Sequence, residues 1–127
     1  MWKGWTEVWE RKRFLVLHLT DAEAPAWSDE IDGPRMDAWL ARRAGPEGWE
    51  PNGERVSDAS TAREIAVRDG VVTVTDGPFP EFKEWFMGAE WIEASDMDEA
   101  VAMLSAHPTA RIGRVLVIPA LEDQEGK

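Results

Sequence analysis

Residues 13–20, RFLVLHLT, are apolar on both sides of an extended chain. Side chains alternate along a strand, so Phe14, Val16, His18 and Thr20 share one face and Leu15, Leu17 and Leu19 the other. A strand that is greasy on both faces needs cover above and below, which makes it central to its sheet. Residues 114–118, RVLVI, have the same character. Helices are expected over one side of these strands and something else over the other.

The rest of the chain supplies the helices. Asp32-Gly33-Pro34 reads as a helix start, with an acceptor at the cap and Pro in the first turn. Met36, Trp39, Leu40 and Arg43 follow at helical spacing until Gly45-Pro46 stops them. The acidic stretch 21–32 before this helix and the polar connector 46–60 after it are expected as loops. Ser95 or Asp96 caps a second helix, whose expected buried stripe is Met97, Ala100, Val101 and Leu104, ending at His107-Pro108.

Between the helices, Ile65 and Val67 alternate with polar or small residues, as do Val72 and Val74. Asp69-Gly70 separates the two runs, and both residues tolerate positive φ, so a hairpin is expected. A second turn falls at Asp76-Gly77-Pro78, and residues 84–94 read as another strand. The order strand, helix, hairpin, strand, helix, strand is a β-α-β-β-α-β plan with an extra β-hairpin. That implies an α+β fold, a ferredoxin-like sandwich with one sheet face under the helices. The other face would expose Leu and Val, and a homodimer is the economical cover.

Composition narrows the function. The chain has 127 residues, one domain's worth, with 14 basic and 25 acidic residues and a net charge of −11. Nucleic acid and anionic membrane surfaces demand a basic face and are not expected as partners. Cysteine is absent, which excludes disulfides, thiolate catalysis and Cys-built metal sites. No long apolar run or export signal is read, so a cytoplasmic location is expected. There are eight Trp and no Tyr. Trp2, Trp5 and Trp9 lie in residues 1–12, expected as an arm that docks its apolar stripe on the domain or a partner. Residues 13–121 form the expected domain and 122–127 a charged tail.

Asp69-Gly70, five residues, Asp76-Gly77-Pro78-Phe79, then Glu81, Lys83-Glu84 and Gly88 form the pattern D-G-x5-D-G-P-F-x-E-x-K-E-x3-G. This resembles the signature of the DGPF branch of the YCII-related proteins, and the likeness runs from about Arg13 to Leu121. The resemblance implies a dimeric α+β barrel, with two ferredoxin-like subunits packed sheet to sheet. It also implies similarity in fold to muconolactone isomerase and to small antibiotic-biosynthesis-type monooxygenases. A chloromuconolactone dehalogenase belongs to one related branch, and related domains accompany extracytoplasmic-function sigma factors. A fold shared so widely does not name a reaction. Some YCII-related proteins carry a His–Asp dyad with the His at the start of the first helix. Here Arg35, Met36 and Asp37 stand in that region, so the dyad does not carry over.

Among candidate catalytic residues, His18 comes first, because an imidazole inside an apolar strand must face a pocket or a buried partner. The alternative is a core or interface histidine bonded to backbone. His107 reads as a helix C-terminal residue whose charge favours the dipole. Asp76 is expected to be fixed by a stiff turn, accepting backbone N–H bonds while Gly77 supplies an unusual φ. That would make it the orienting or acid group beside His18. Lys83 is a candidate anchor for an anion, or else a neutraliser of Glu81. Glu54 is a candidate pocket carboxylate, while Trp85 and Trp91, with Phe86, are candidate walls for a ligand. No metal and no cofactor is assigned, since phosphate loops, nucleophile elbows and His-x-x-x-His spacings are missing.

The leading expectation is a small metabolite, an anion among the options, in a pocket of a homodimer, with cofactor-free isomerase- or lyase-type proton transfer. The alternative is a non-catalytic binding or regulatory module that meets a protein partner through its Trp stripe. A monooxygenase of the same fold is the third reading.

Overall fold

The computed structural model describes residues 11–121. Of the expected arm only Arg11 and Lys12 fall among them, and the expected tail 122–127 lies outside the described residues. In chain order come β1 (Lys12–Leu19), α1 (Asp29–Ala44), β2 (Glu54–Arg55), a 3-10 turn (Ala59–Thr61), β3 (Arg63–Arg68) and β4 (Val71–Asp76). Then follow β5 (Phe86–Ala94), α2 (Met97–Ser105), α3 (Thr109–Ile112) and β6 (Arg114–Pro119). The architecture is α+β.

Four strands form one antiparallel sheet in the order β2-β5-β1-β6. β1 lies inside it, as its two-faced apolar pattern demands. Phe14 and Val16 of β1 and Ile92 and Ala94 of β5 are buried against Trp39 of α1 and Ala100, Met103 and Leu104 of α2. Each fully buried large side chain of this set contributes roughly 1.5–3 kcal/mol of transfer free energy. On the opposite face Leu15, Leu17 and Trp91 are half-buried. Leu116 and Ile118 there are 48% and 42% exposed. Leu15 pairs with both Trp91 and Ile118, and Leu17 with Leu116, so this apolar row is continuous.

β3 and β4 make a separate two-stranded sheet. The turn between them has φ of 51° at Asp69 and 78° at Gly70, the left-handed geometry that Asp-Gly accommodates.

Four expectations shift, the first being that β2 lies inside the connector 46–60 expected as a loop. β5 begins at Phe86, leaving Glu84 and Trp85 in the preceding loop. α2 buries Ala100, Met103 and Leu104, while Met97 and Val101 are 37% and 49% exposed. The capping is as expected: the Asp96 carboxylate accepts from the Glu99 amide, and Glu99 accepts in return from Ser95. α1 starts a turn before Asp32, because the Ser28 hydroxyl accepts from the Ile31 amide and serves as the cap. Pro34 therefore lies inside the helix rather than in its first turn.

Asp32 has a different task. It is fully buried and forms a two-pronged pair with the Arg111 guanidinium, at 2.8 and 2.5 Å, while accepting from the Ser28 amide. Hydrogen bonding to Arg111 holds its carboxyl down at about 2. Arg35, one turn along α1, donates to the carbonyls of Ser105 and His107. These bonds tie α1 to the α2–α3 junction and so set the position of His107. No helix among the described residues is long and apolar enough to cross a membrane.

Candidate functional site

On the helix-covered face, the buried row of β1 ends at His18 and the buried row of β5 holds Gly88 and Glu90. His18 Nε2 lies 2.7 Å from Glu90 Oε2, both side chains being 10% exposed. A carboxylate only accepts, so the imidazole donates through Nε2–H. Nδ1 then carries the lone pair, and it is buried without any protein partner. An unpaired buried acceptor costs about 1–3 kcal/mol, so its persistence points to a use.

His107 completes the cluster. Its ring centroid is 4.5 Å from that of His18 and 4.9 Å from that of Trp39, edge-on to the latter. The Thr109 amide donates to its Nδ1 at 3.0 Å, which places the ring's proton on Nε2. Burial, reinforced by the neighbouring His18, pushes its pKa down to about 4. His107 is thus a neutral core imidazole that can donate, not the dipole-capping cation expected from its position.

One donor atom from each of His18, Glu90 and His107 lies within 4.8 Å of the others. Two imidazoles and a carboxylate can hold a transition metal, but each must offer a lone pair. Nδ1 of His107 is spent on Thr109 and Nε2 carries the proton, so a cation would have to break that bond. The donor set suits proton handling better than coordination.

The cluster borders a cavity of about 800 Å³, within the range of small-molecule sites. Met36, Trp39, Leu40 and Arg43 of α1 line one side, and Thr20, Trp85, Phe86 and Met87 another. Phe79, Phe82, Trp85 and Phe86 pack on one another with centroids 5.1 to 6.2 Å apart. The aromatic residues of the D-G-P-F segment therefore knit the loop whose Trp85 walls the cavity.

The sequence-derived candidates separate. His18, Trp85 and Phe86 line this cavity, and Glu54 borders it. Glu54 pairs in register with Ala89, whose side chain belongs to the opposite sheet face. Trp91 also lies on that opposite face, under the Arg13 guanidinium at 4.3 Å. Lys83 is exposed and away from the cavity lining.

Asp76 does not meet His18. It ends β4, and its Oδ1 pairs with Arg63 Nε at 3.0 Å, both side chains largely exposed. Pro78, two residues on, has no N–H to donate, so the anticipated Asx bond has no partner there. Gly77 is not in the left-handed region; a Cβ there would collide with the Ala59 carbonyl.

Glu90 was missed, although its signal is present. It has the parity of Gly88 and Ile92 in an apolar strand, and an acid at a buried parity must have a partner. The Thr109–His107 bond has no comparable sequence signal.

No curated protein matches the chain. The family model for the YCII-related domain matches residues 14–122, from the second residue after the start of β1 to just beyond β6. The chain belongs to the YCII-related family.

Proposed function

We propose that this protein is a homodimeric acid–base catalyst of isomerase or lyase type, acting without a cofactor on a small metabolite. His18 is the base and Glu90 its orienting carboxylate. The observation that carries this reading is the 2.7 Å His18–Glu90 pair, whose other imidazole nitrogen is buried and unsatisfied, on a residue that lines the cavity. In the proposed step, His18 Nδ1 takes a proton from a substrate carbon, and Glu90 stabilises the resulting imidazolium. The electron pair left on carbon either shifts along a conjugated system or expels a leaving anion. The proton then returns to a second carbon or leaves to water. The D-G-x5-D-G-P-F segment supports a place in the DGPF branch. The apolar row Leu15, Leu17, Trp91, Leu116 and Ile118 supports sheet-to-sheet dimerisation.

Loss of carbon-bound hydrogen in D2O, followed by NMR over a panel of 2-oxo acids and 1,3-dicarbonyl compounds, tests the chemistry. Wild type is expected to exchange at least one of them, and His18→Asn to slow that exchange at least about 100-fold with an unchanged melting temperature. Glu90→Gln is expected to fall between the two, and Asp76→Asn to match wild type. Exchange that survives in His18→Asn, or no exchange across the panel, overturns the proposal.

A further inference from the structure

His18 of β1 and Arg55 of β2 are both register partners of Gly88 on β5. Register partners point to the same side of a sheet. The three positions therefore make one row across the floor of the cavity, an imidazole at one end, a guanidinium at the other and no side chain between. Two strand spacings separate the ends, roughly 10 Å. A Cβ at Gly88 would sit 2.8 Å from the Glu54 carbonyl, so the gap in the floor is fixed by backbone packing.

A second guanidinium borders the same space. Arg43 closes the Met36–Trp39–Leu40–Arg43 stripe of α1 and is half-buried at the cavity. Neither Arg43 nor Arg55 donates a side-chain hydrogen bond or joins an ion pair among the described residues. Arg55 is exposed and Arg43 half-buried, in a chain with 25 acidic residues against 14 basic ones. Arg11, Arg35, Arg63, Arg111 and Arg114 all have partners. The carboxylates at the cavity are already engaged or turned away. Glu90 holds His18, Asp58 accepts from Ser60, and Glu54 shares the face of Ala89.

We infer that Arg55 and Arg43 form an anion clamp, and that the cavity takes a small carboxylate with a flat apolar body. The carboxylate is held at the guanidiniums, the body lies over Gly88 between Trp39 and Trp85, and the far end reaches His18 Nδ1. The inference rests on the acid–base reading for its orientation, since His18 marks the reacting end. An unpaired guanidinium beside an apolar wall is a strong, geometrically specific partner for a carboxylate. It also separates two substrates of equal shape by charge alone.

Benzoate and benzamide share one body and differ in that charge. Their binding to the full chain is read from Trp fluorescence and from amide shifts at Gly88 and Arg55. Benzoate is expected to bind at least about tenfold more tightly than benzamide. Arg55→Gln and Arg43→Gln are each expected to remove most of that preference while leaving benzamide binding and the circular dichroism spectrum as they are. Arg68→Gln, on the distant hairpin, is expected to change nothing, and His18→Asn to keep the preference while losing exchange. Equal binding of the two probes, no binding of benzoate, or a preference that survives in both Arg variants overturns the clamp. Equal binding of the two probes with exchange lost in His18→Asn would leave the catalytic reading standing without the clamp.

Discussion

The two β-structures of this molecule are built from similar residues and meet opposite fates. In the four-stranded sheet, Phe14, Val16 and Ile92 are at most 2% exposed. In the β3–β4 hairpin, Ile65 pairs with Val74 and Val67 with Val72, making an equally apolar face. Those four side chains are 53% to 67% exposed. Alternation fixes that a segment is extended and which residues share a face; it does not say what will lie against that face. Helices α1 and α2 cover the first sheet because β1-α1-β2 and β5-α2-β6 are crossovers, and a crossover lays its helix on the sheet it returns to. A hairpin closed by Asp69-Gly70 returns nothing over itself.

The largest test of this contrast is a cavity in the covered sheet. Ile92→Ala is expected to cost about 2–5 kcal/mol in denaturant unfolding, since Ile92 is fully buried in the cluster with Phe14, Val16, Trp39 and Met103. A cost below 1 kcal/mol would mean that the covered face is no better packed than the hairpin.

The next effect concerns acid. His107 is neutral in the folded protein, with a pKa near 4, whereas the unfolded chain titrates near the ordinary 6.5. Between these values the unfolded state binds the extra proton, so stability is full above about pH 6.5 and falls as pH drops towards 4. The loss is roughly 2 kcal/mol, allowing for relaxation of the site. Asp32, held near 2 by Arg111, adds a further loss only below its ordinary value of 3.8. His107→Asn keeps an acceptor for the Thr109 amide and is expected to flatten the melting-temperature profile between pH 6.5 and 4. An unchanged profile would show that His107 is not the group responsible.

The smallest effects belong to the uncovered surfaces and decide who covers them. Val72→Lys is expected to change monomer stability by no more than about 0.5 kcal/mol. If the proposed sheet-to-sheet homodimer forms, Leu17→Lys, on the open face of the main sheet, is expected to halve the solution mass measured by light scattering. If Val72→Lys splits the assembly and Leu17→Lys does not, the hairpin is the interface.

Much of the fold was legible. The two-faced pattern of 13–20 required an inside strand, Gly45-Pro46 ended α1, and Asp69-Gly70 turned the hairpin. Those signals are local: each rests on φ preferences or side-chain alternation within a few residues. Misread boundaries arose where a residue's strongest bond is distant. Asp32 looked like a cap because nothing in 28–36 reveals Arg111, 79 positions away. Met103 and Val101 both suit an apolar stripe, and only the docking of α2 chooses between them.

The site divides in the same way. His18 stands out in any reading of the chain, because an imidazole among leucines demands a partner. Asp76, beside a recognisable turn, looked a natural companion, yet it closes the hairpin with Arg63. Its place is taken by Glu90, 72 positions from His18 along the chain. By itself, the sequence determined which segments extend, where they turn and which family they belong to, since these depend on short-range sterics and on motifs of adjacent residues. Only the tertiary structure decided that Glu90 and His107 would meet His18, and that Gly88 would open the floor towards Arg55. Those meetings depend on strand register and helix docking, which are properties of the whole packed sheet rather than of any stretch of chain.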